Sequence, residues 1–228
     1  MCGRFALYHG ADAVATLFDL EQPAPPLPPR YNIAPGQTVP AVVQVEHRTL
    51  MMARWGLLPS WASDARIGAR LINARAETLA DKPAFRAAFR RRRCLLPASG
   101  FYEWRQTGTA REPVFIRRQD GRLLALAGVW ELWRSPAGEA VPTCAIVTTA
   151  ANEALAPIHA RMPAILEPPQ FGRWLAPAPA AASALAELVE LLRPYPAPGL
   201  IAHPVSRRVN APEHDAPDCI EPVPRLSL

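Results

Sequence analysis

The stretch Cys94-Leu95-Leu96-Pro97-Ala98-Ser99-Gly100-Phe101-Tyr102-Glu103-Trp104 decides how the rest of the chain is read. It marks where the pattern turns to strands. Residues 94–97, 100–105, 113–118, 123–133 and 142–149 are rich in β-branched and aromatic side chains, which fit a pleated surface. Asp120-Gly121 falls between two of these runs and predicts a hairpin. Toward the N-terminus, residues 39–45 and 49–55 are also β-like and pair across Glu46-His47-Arg48, while 82–91 reads as a helix with Asp81 as N-cap and Pro83 in its first turn. Residues 22–30 are a proline-rich loop, and 11–19 form a short amphipathic helix carrying Val14, Leu17 and Phe18. Toward the C-terminus, helices are expected at 168–175 and 180–192, a last strand at 200–205, and a poorly ordered tail over 211–228. Strands spread along the whole length with no dividing linker imply one α+β domain spanning 1–228.

At 228 residues, half of them hydrophobic, the chain is long enough to bury a substantial core. It contains no run of about 18 apolar residues, so no membrane span is expected, and with no secretory leader the cytosol is the expected compartment. The cysteines are Cys2, Cys94, Cys144 and Cys219. They form no C-x-x-C pair and have no His at zinc-finger spacing, so neither a metal nor a disulfide framework is expected; Cys94 and Cys144 read as core. The net charge is +5, and it is almost entirely arginine, with Lys82 the one lysine. Arginine forks suit phosphate, which favours an anionic partner. The run Arg90 to Arg93 reads either as a phosphate-facing patch or as positive charge matched to a helix C-terminus, with the second preferred.

Four positions place a reactive or polar side chain among apolar neighbours: Asn73, Glu103, His159 and Arg4, with Arg4 two residues from Cys2. Once Met1 is removed, Cys2 carries a thiol and a free α-amine on one skeleton. These titrate near ~8.5 and ~8, so both react close to neutral pH. The amine condenses with an aldehyde to an imine, and the thiol closes onto it as a thiazolidine. A carboxylate or an imidazole can move the protons, and an amide can hold the reacting end without changing charge. Taken singly, Glu103 also fits a solvent-facing strand position, His159 a satisfied core histidine, and Asn73 a turn cap.

The ordered set Met1-Cys2-Gly3-Arg4-Phe5, Tyr31-Asn32-Ile33-Ala34-Pro35, Trp55-Gly56-Leu57-Leu58-Pro59-Ser60-Trp61, Asn73-Ala74-Arg75-Ala76-Glu77-Thr78, Gly100-Phe101-Tyr102-Glu103-Trp104 and His159-Ala160-Arg161-Met162-Pro163 resembles the SOS-response-associated peptidase (SRAP) family of abasic-site processing proteins. The resemblance runs from residue 2 to about 210. It implies a β-rich, barrel-like core of mostly antiparallel strands with flanking helices. It implies binding to single-stranded DNA bearing an abasic site, without a cofactor, and a covalent thiazolidine crosslink through Cys2. Asn73 would position the reacting end, Glu103 would be the acid–base group and assist self-cleavage of Met1, and His159 would serve proton transfer at the sugar, with lyase-type activity on DNA also implied. Arg4, Asn32, Arg75, Thr148 and Arg161 would hold phosphates, and Trp55 and Trp61 would line the groove. A monomer is expected, associated with the nucleoid when bound to DNA. The chain departs from the pattern at Arg54, Ser99 and Ala211, which affects the groove and leaves the four catalytic positions intact.

Three other readings stay open on sequence: an amidotransferase of the N-terminal-cysteine kind, a thiol peptidase acting in trans, and a non-covalent single-strand-binding module.

Overall fold

The computed structural model describes residues 2–176 and 182–223, with the backbone alone at residues 182–184. The chain order is β1 Phe5–Leu7, α1 Ala11–Phe18, β2 Arg30–Ile33, β3 Thr38–Gln44, β4 Arg48–Trp55, β5 Asn73–Arg75, α2 Arg86–Arg91, β6 Arg93–Ala98, β7 Gly100–Thr107 and β8 Ala110–Arg118. It continues with β9 Leu124–Arg134, β10 Ala140–Ala150, β11 Arg161–Pro163, β12 Ile165–Leu166, α3 Pro168–Leu175, α4 Ala182–Val189 and β13 Leu200–Pro204.

Five strands close on themselves. β10 runs parallel to β4, and β4–β3, β3–β6, β6–β9 and β9–β10 are antiparallel, so the ring returns to β10 with no open edge. Strands β5, β11 and β12 extend it. A second, antiparallel sheet has the order β13-β8-β7-β1-β2. One continuous core joins the two sheets, with Phe5 and Phe101 from the sheet meeting Trp55, Leu95 and Ile146 from the barrel. This is the α+β, barrel-like architecture expected. No helix among the described residues is long and apolar enough to cross a membrane.

Three local expectations need correction. Asp120-Gly121 does not close a hairpin: β8 pairs with β7 and β13, while β9 pairs with β6, β10 and β12, so this turn carries the chain from one sheet to the other. The helix predicted from 82 starts at Arg86, with Phe85 at the cap position and no side-chain cap bond; Pro83 lies in the preceding turn. The polar segment 211–223, expected to be loose, is fastened. Asp215 accepts from the backbone N–H groups of Tyr31 and Asn32 and pairs with Arg30, and His203 Nε2 lies 2.8 Å from the Ile220 carbonyl. Residues 224–228 and the first two residues predicted for the 180–192 helix lie outside the described part.

The arginine run behaves as a helix end. Arg93 is buried, its Nη1 donating to the carbonyls of Phe89 and Arg90 and its Nε to that of Trp174, while Arg92 pairs with Glu131.

Candidate active site

Strand pairing alone brings Glu103 to the N-terminus. β1 and β7 are antiparallel with Phe5 opposite Phe101 and Ala6 opposite Gly100, and Tyr102 N–H donates to the Arg4 carbonyl at 2.9 Å. The same register sets Gly3 opposite Glu103, one residue from Cys2. On the other side of β7, β8 explains the glycine that opens the Gly-Phe-Tyr-Glu-Trp run: a Cβ at Gly100 would sit 2.3 Å from Phe115 Cζ and 2.7 Å from the Ile116 carbonyl oxygen. Beneath β1, Trp55 packs its ring edge-on to Phe5 at 5.2 Å and donates its indole N–H to the Ile72 carbonyl at 2.9 Å.

The central strand β10 brings up the other two groups. β5 lies parallel along one edge, with Asn73 opposite Ile146 and Arg75 opposite Thr148. β11 lies antiparallel along the other, with Arg161 opposite Ala150, which places His159 just before its first residue. From β5, Asn73 Nδ2 donates to the Cys2 carbonyl at 2.7 Å. Among the described residues its buried Oδ1 has no donor. Glu103 and His159 share the wall of an open cleft of about 320 Å³, together with Trp104, Gln106, Arg111 and Ile158.

The electrostatics follow from burial. Cys2 is fully buried, and burial, reinforced by the Glu103 charge, holds its thiol well above the usual range and so in the neutral form. Burial also pushes the Glu103 carboxyl up to about 7, where it both takes and gives a proton near neutral pH. His159 is shifted the other way, by burial first and then by cationic neighbours that include Arg161 and Arg111. Its Nδ1 lies 3.0 Å from the Arg161 backbone nitrogen and 3.2 Å from the Arg161 carbonyl oxygen, so the backbone of that residue orients the ring.

The structure sorts the expected phosphate and groove residues into two groups. Arg75 and Trp61 are exposed. Arg161 is reachable, yet its fork is held by Glu77 at 2.6 and 2.9 Å, and its Nη2 also donates to the Thr148 carbonyl. The others lie inside. Trp55, Asn32 and Thr148 are completely buried, so the groove position expected for Trp55 gives way to a core position. The Asn32 amide is taken up by the carbonyls of Val209, Ala211 and His214. Arg4 Nη1 is 2.6 Å from both Asn32 Oδ1 and the Val209 carbonyl. None of these three buried residues, nor Arg4, lines the cleft: Trp55 Nε1 and Thr148 Oγ1 donate to the Ile72 and Ala74 carbonyls, and Arg4 and Asn32 bond each other and the 209–214 segment.

Sequence reasoning missed Glu77, Trp104, Gln106 and Arg111. Glu77 and Trp104 stood inside quoted motifs without a role, and only pairing shows the first reaching Arg161 across 84 positions. Trp104 is steadied by its indole N–H to Asn210 Oδ1 at 2.8 Å and by the Arg4 guanidinium 6.0 Å from the ring centre. Away from the cleft, His214, Asp218 and Cys219 bring donor atoms within 4.8 Å of one another, the one group among the described residues that could hold a metal. Asp218 there is already engaged by His214 and Arg208.

The sequence pattern of the family described as SOS response associated peptidase (SRAP) matches residues 1–212. The abasic site processing protein YoqW of Bacillus subtilis is 40% identical over 225 residues, covering 97% of this chain and 99% of that protein. The abasic site processing protein HMCES of Gallus gallus is 32% identical, covering 86% of this chain and 66% of its own length. Among solved structures, a protein from Bacteroides thetaiotaomicron superimposes with a TM-score of 0.85 at 25% identity, covering 97% of this chain and 100% of that one.

Proposed function

This chain belongs to the SOS response associated peptidase family, and from that premise we propose that it processes abasic sites in single-stranded DNA by covalent capture. Removal of Met1, which lies outside the described residues, frees the Cys2 α-amine. The amine adds to the C1 aldehyde of the ring-opened sugar and loses one water to give an imine. The thiol sulfur then adds to the imine carbon while its proton ends on nitrogen, closing a thiazolidine with no change in oxidation state. Glu103 takes the thiol proton and returns it to nitrogen. His159 serves the sugar oxygen as the ring opens. Asn73 holds the Cys2 carbonyl and offers its Oδ1 to the amine. Arg75 and Arg161 contact the strand, and Trp61 supports a base.

The observation that carries this reading is the Asn73 Nδ2 to Cys2 carbonyl bond of 2.7 Å. It fixes the backbone of the nucleophile beside a buried carboxyl at its working range. That arrangement needs no peptide substrate, and a purely non-covalent strand binder has no use for it. The test is to mix the purified protein with a single strand bearing one abasic site. A heat-stable protein–DNA band on a denaturing gel is expected, absent with Cys2→Ala and with an intact strand. Equal bands from wild type and Cys2→Ala, or ammonia release from glutamine, would overturn it. Intact-mass measurement on active protein should find Met1 gone.

A further inference from the structure

The cleft has a wall that no role so far described uses. The β7–β8 hairpin pairs Gln106 with Arg111 and Trp104 with Pro113, and side chains alternate along a strand, so Trp104, Gln106 and Arg111 share one face. All three line the cleft that holds Glu103 and His159. Their neighbours on the other face are a closed pair: Arg105 is held by Glu112. Arg161 across the site is held by Glu77. Arg111 differs from both. It is exposed, and among the described residues no carboxylate lies within ion-pair distance of it. The cleft therefore carries a guanidinium outside ion-pair distance of the Glu103 carboxyl that shares it, next to a neutral imidazole, an indole and an amide. Those are the groups that take a phosphodiester oxygen and its adjoining base.

We propose that Arg111 is a strand-positioning residue: it holds a backbone phosphate next to the abasic sugar, across the hairpin face from Trp104, and so fixes the lesion over Cys2 and His159. This rests on the reading of the cleft as the site of an abasic strand. A phosphate there would also neutralise one of the charges that keep His159 unprotonated.

The experiment uses full-length protein and a single-stranded oligonucleotide with one tetrahydrofuran residue, which lacks the aldehyde and cannot be captured. Binding is measured against salt concentration for wild type, Arg111→Ala, Arg111→Lys and Arg122→Ala, the last lying in a separate depression beside α1. Each phosphate contact on a single strand contributes about 0.7 to the slope of log affinity against log salt. Arg111→Ala should lower the slope by about that amount, while Arg111→Lys and Arg122→Ala keep the wild-type slope. In single-turnover capture of a true abasic strand, Arg111→Ala should raise the protein concentration for half-maximal rate more than it lowers the limiting rate. An unchanged slope in Arg111→Ala, or an equal drop in Arg122→Ala, overturns the assignment while leaving capture standing. Failure of wild type to bind the strand at all overturns the reading of the cleft and this inference with it.

Discussion

Asn73 reaches across 71 positions of sequence to donate its amide to the Cys2 carbonyl at 2.7 Å. The bond ties the N-terminal segment, whose described residues 2–4 precede the first strand, to a strand of the barrel assembly. Its energetic weight is small, about 1 kcal/mol for a neutral hydrogen bond. Its positional weight is larger, since a misplacement of about 1 Å costs roughly 10²-fold in rate. Asn73→Ala should therefore slow capture of an abasic strand by about two orders of magnitude while shifting the melting temperature only a few degrees. Single-turnover adduct yields and a thermal melt check both. A variant that melts far below wild type would recast Asn73 as a structural residue.

Glu103 should write its titration into both stability and rate. Its folded pKa, raised by burial to about 7, lies above the ordinary carboxyl value, so the folded state binds more protons than the unfolded one in between. Stability contributed by the neutral form is thus full below about pH 4 and falls as pH rises toward 7. The loss is on the order of 2–3 kcal/mol. Glu103→Gln should flatten melting temperature against pH across this window. In the same variant the capture rate should lose its inflection near neutrality. Parallel pH profiles of stability in the two proteins would exclude the buried carboxyl as their source.

Much of this was readable before folding, and the parts that were not share a cause. Periodicity located β3, β4 and the strands from Cys94 onward because half-buried strands alternate and use β-branched residues. It placed Asp120-Gly121 in a turn yet misjudged its partners, because hairpin chemistry is local while the choice of sheet is set by packing across the core. The reactive side chains were found through residue type: a carboxyl in an apolar strand, a histidine among apolar neighbours. Burial was not found. Asn32 and Trp55 sit in motifs, and Thr148 in a strand-like run, whose composition suits a surface equally well, and only pairing of β2 with the C-terminal segment and of β5 with β10 encloses Asn32 and Thr148. Arg111 escaped notice because the carboxylate beside it in sequence, Glu112, faces the other side of the strand and pairs with Arg105, and its meaning comes from the cleft.

The two tryptophans of the 55–61 segment should separate cleanly. Trp55 is fully buried with its indole bonded to Ile72, and Trp61 is 61% exposed. Trp55→Ala should cost about 3–5 kcal/mol through the cavity it leaves under Phe5. Trp61→Ala should leave stability within about 0.5 kcal/mol and weaken strand binding, where base stacking contributes roughly 1–3 kcal/mol. Denaturant melts and binding isotherms on both variants decide it. Equal stability losses would contradict the burial difference.

The last prediction concerns the segment from Val205 to Val223, which lies mostly beyond the family match at residue 212. Its anchor is Asp215, whose carboxylate accepts two backbone N–H groups of β2 at 2.5 and 2.9 Å and pairs with Arg30. Burial alone would raise its pKa, but Arg30 and the two N–H donors outweigh it and hold the carboxyl below the usual range. A depressed folded pKa means stability present above the unfolded value near ~4 and lost as pH falls through the folded one. The segment also delivers the Val209 carbonyl to Arg4, two residues from Cys2. Asp215→Ala leaves both N–H groups without their acceptor, at a cost of about 1–3 kcal/mol. It should open the segment to proteolysis near residue 205 and slow capture, because Arg4 loses its backing and Trp104 loses the guanidinium beside it. Limited proteolysis with mass detection, run beside single-turnover capture, reads both effects. Capture at the wild-type rate in a protein nicked at that position would separate the segment from the site.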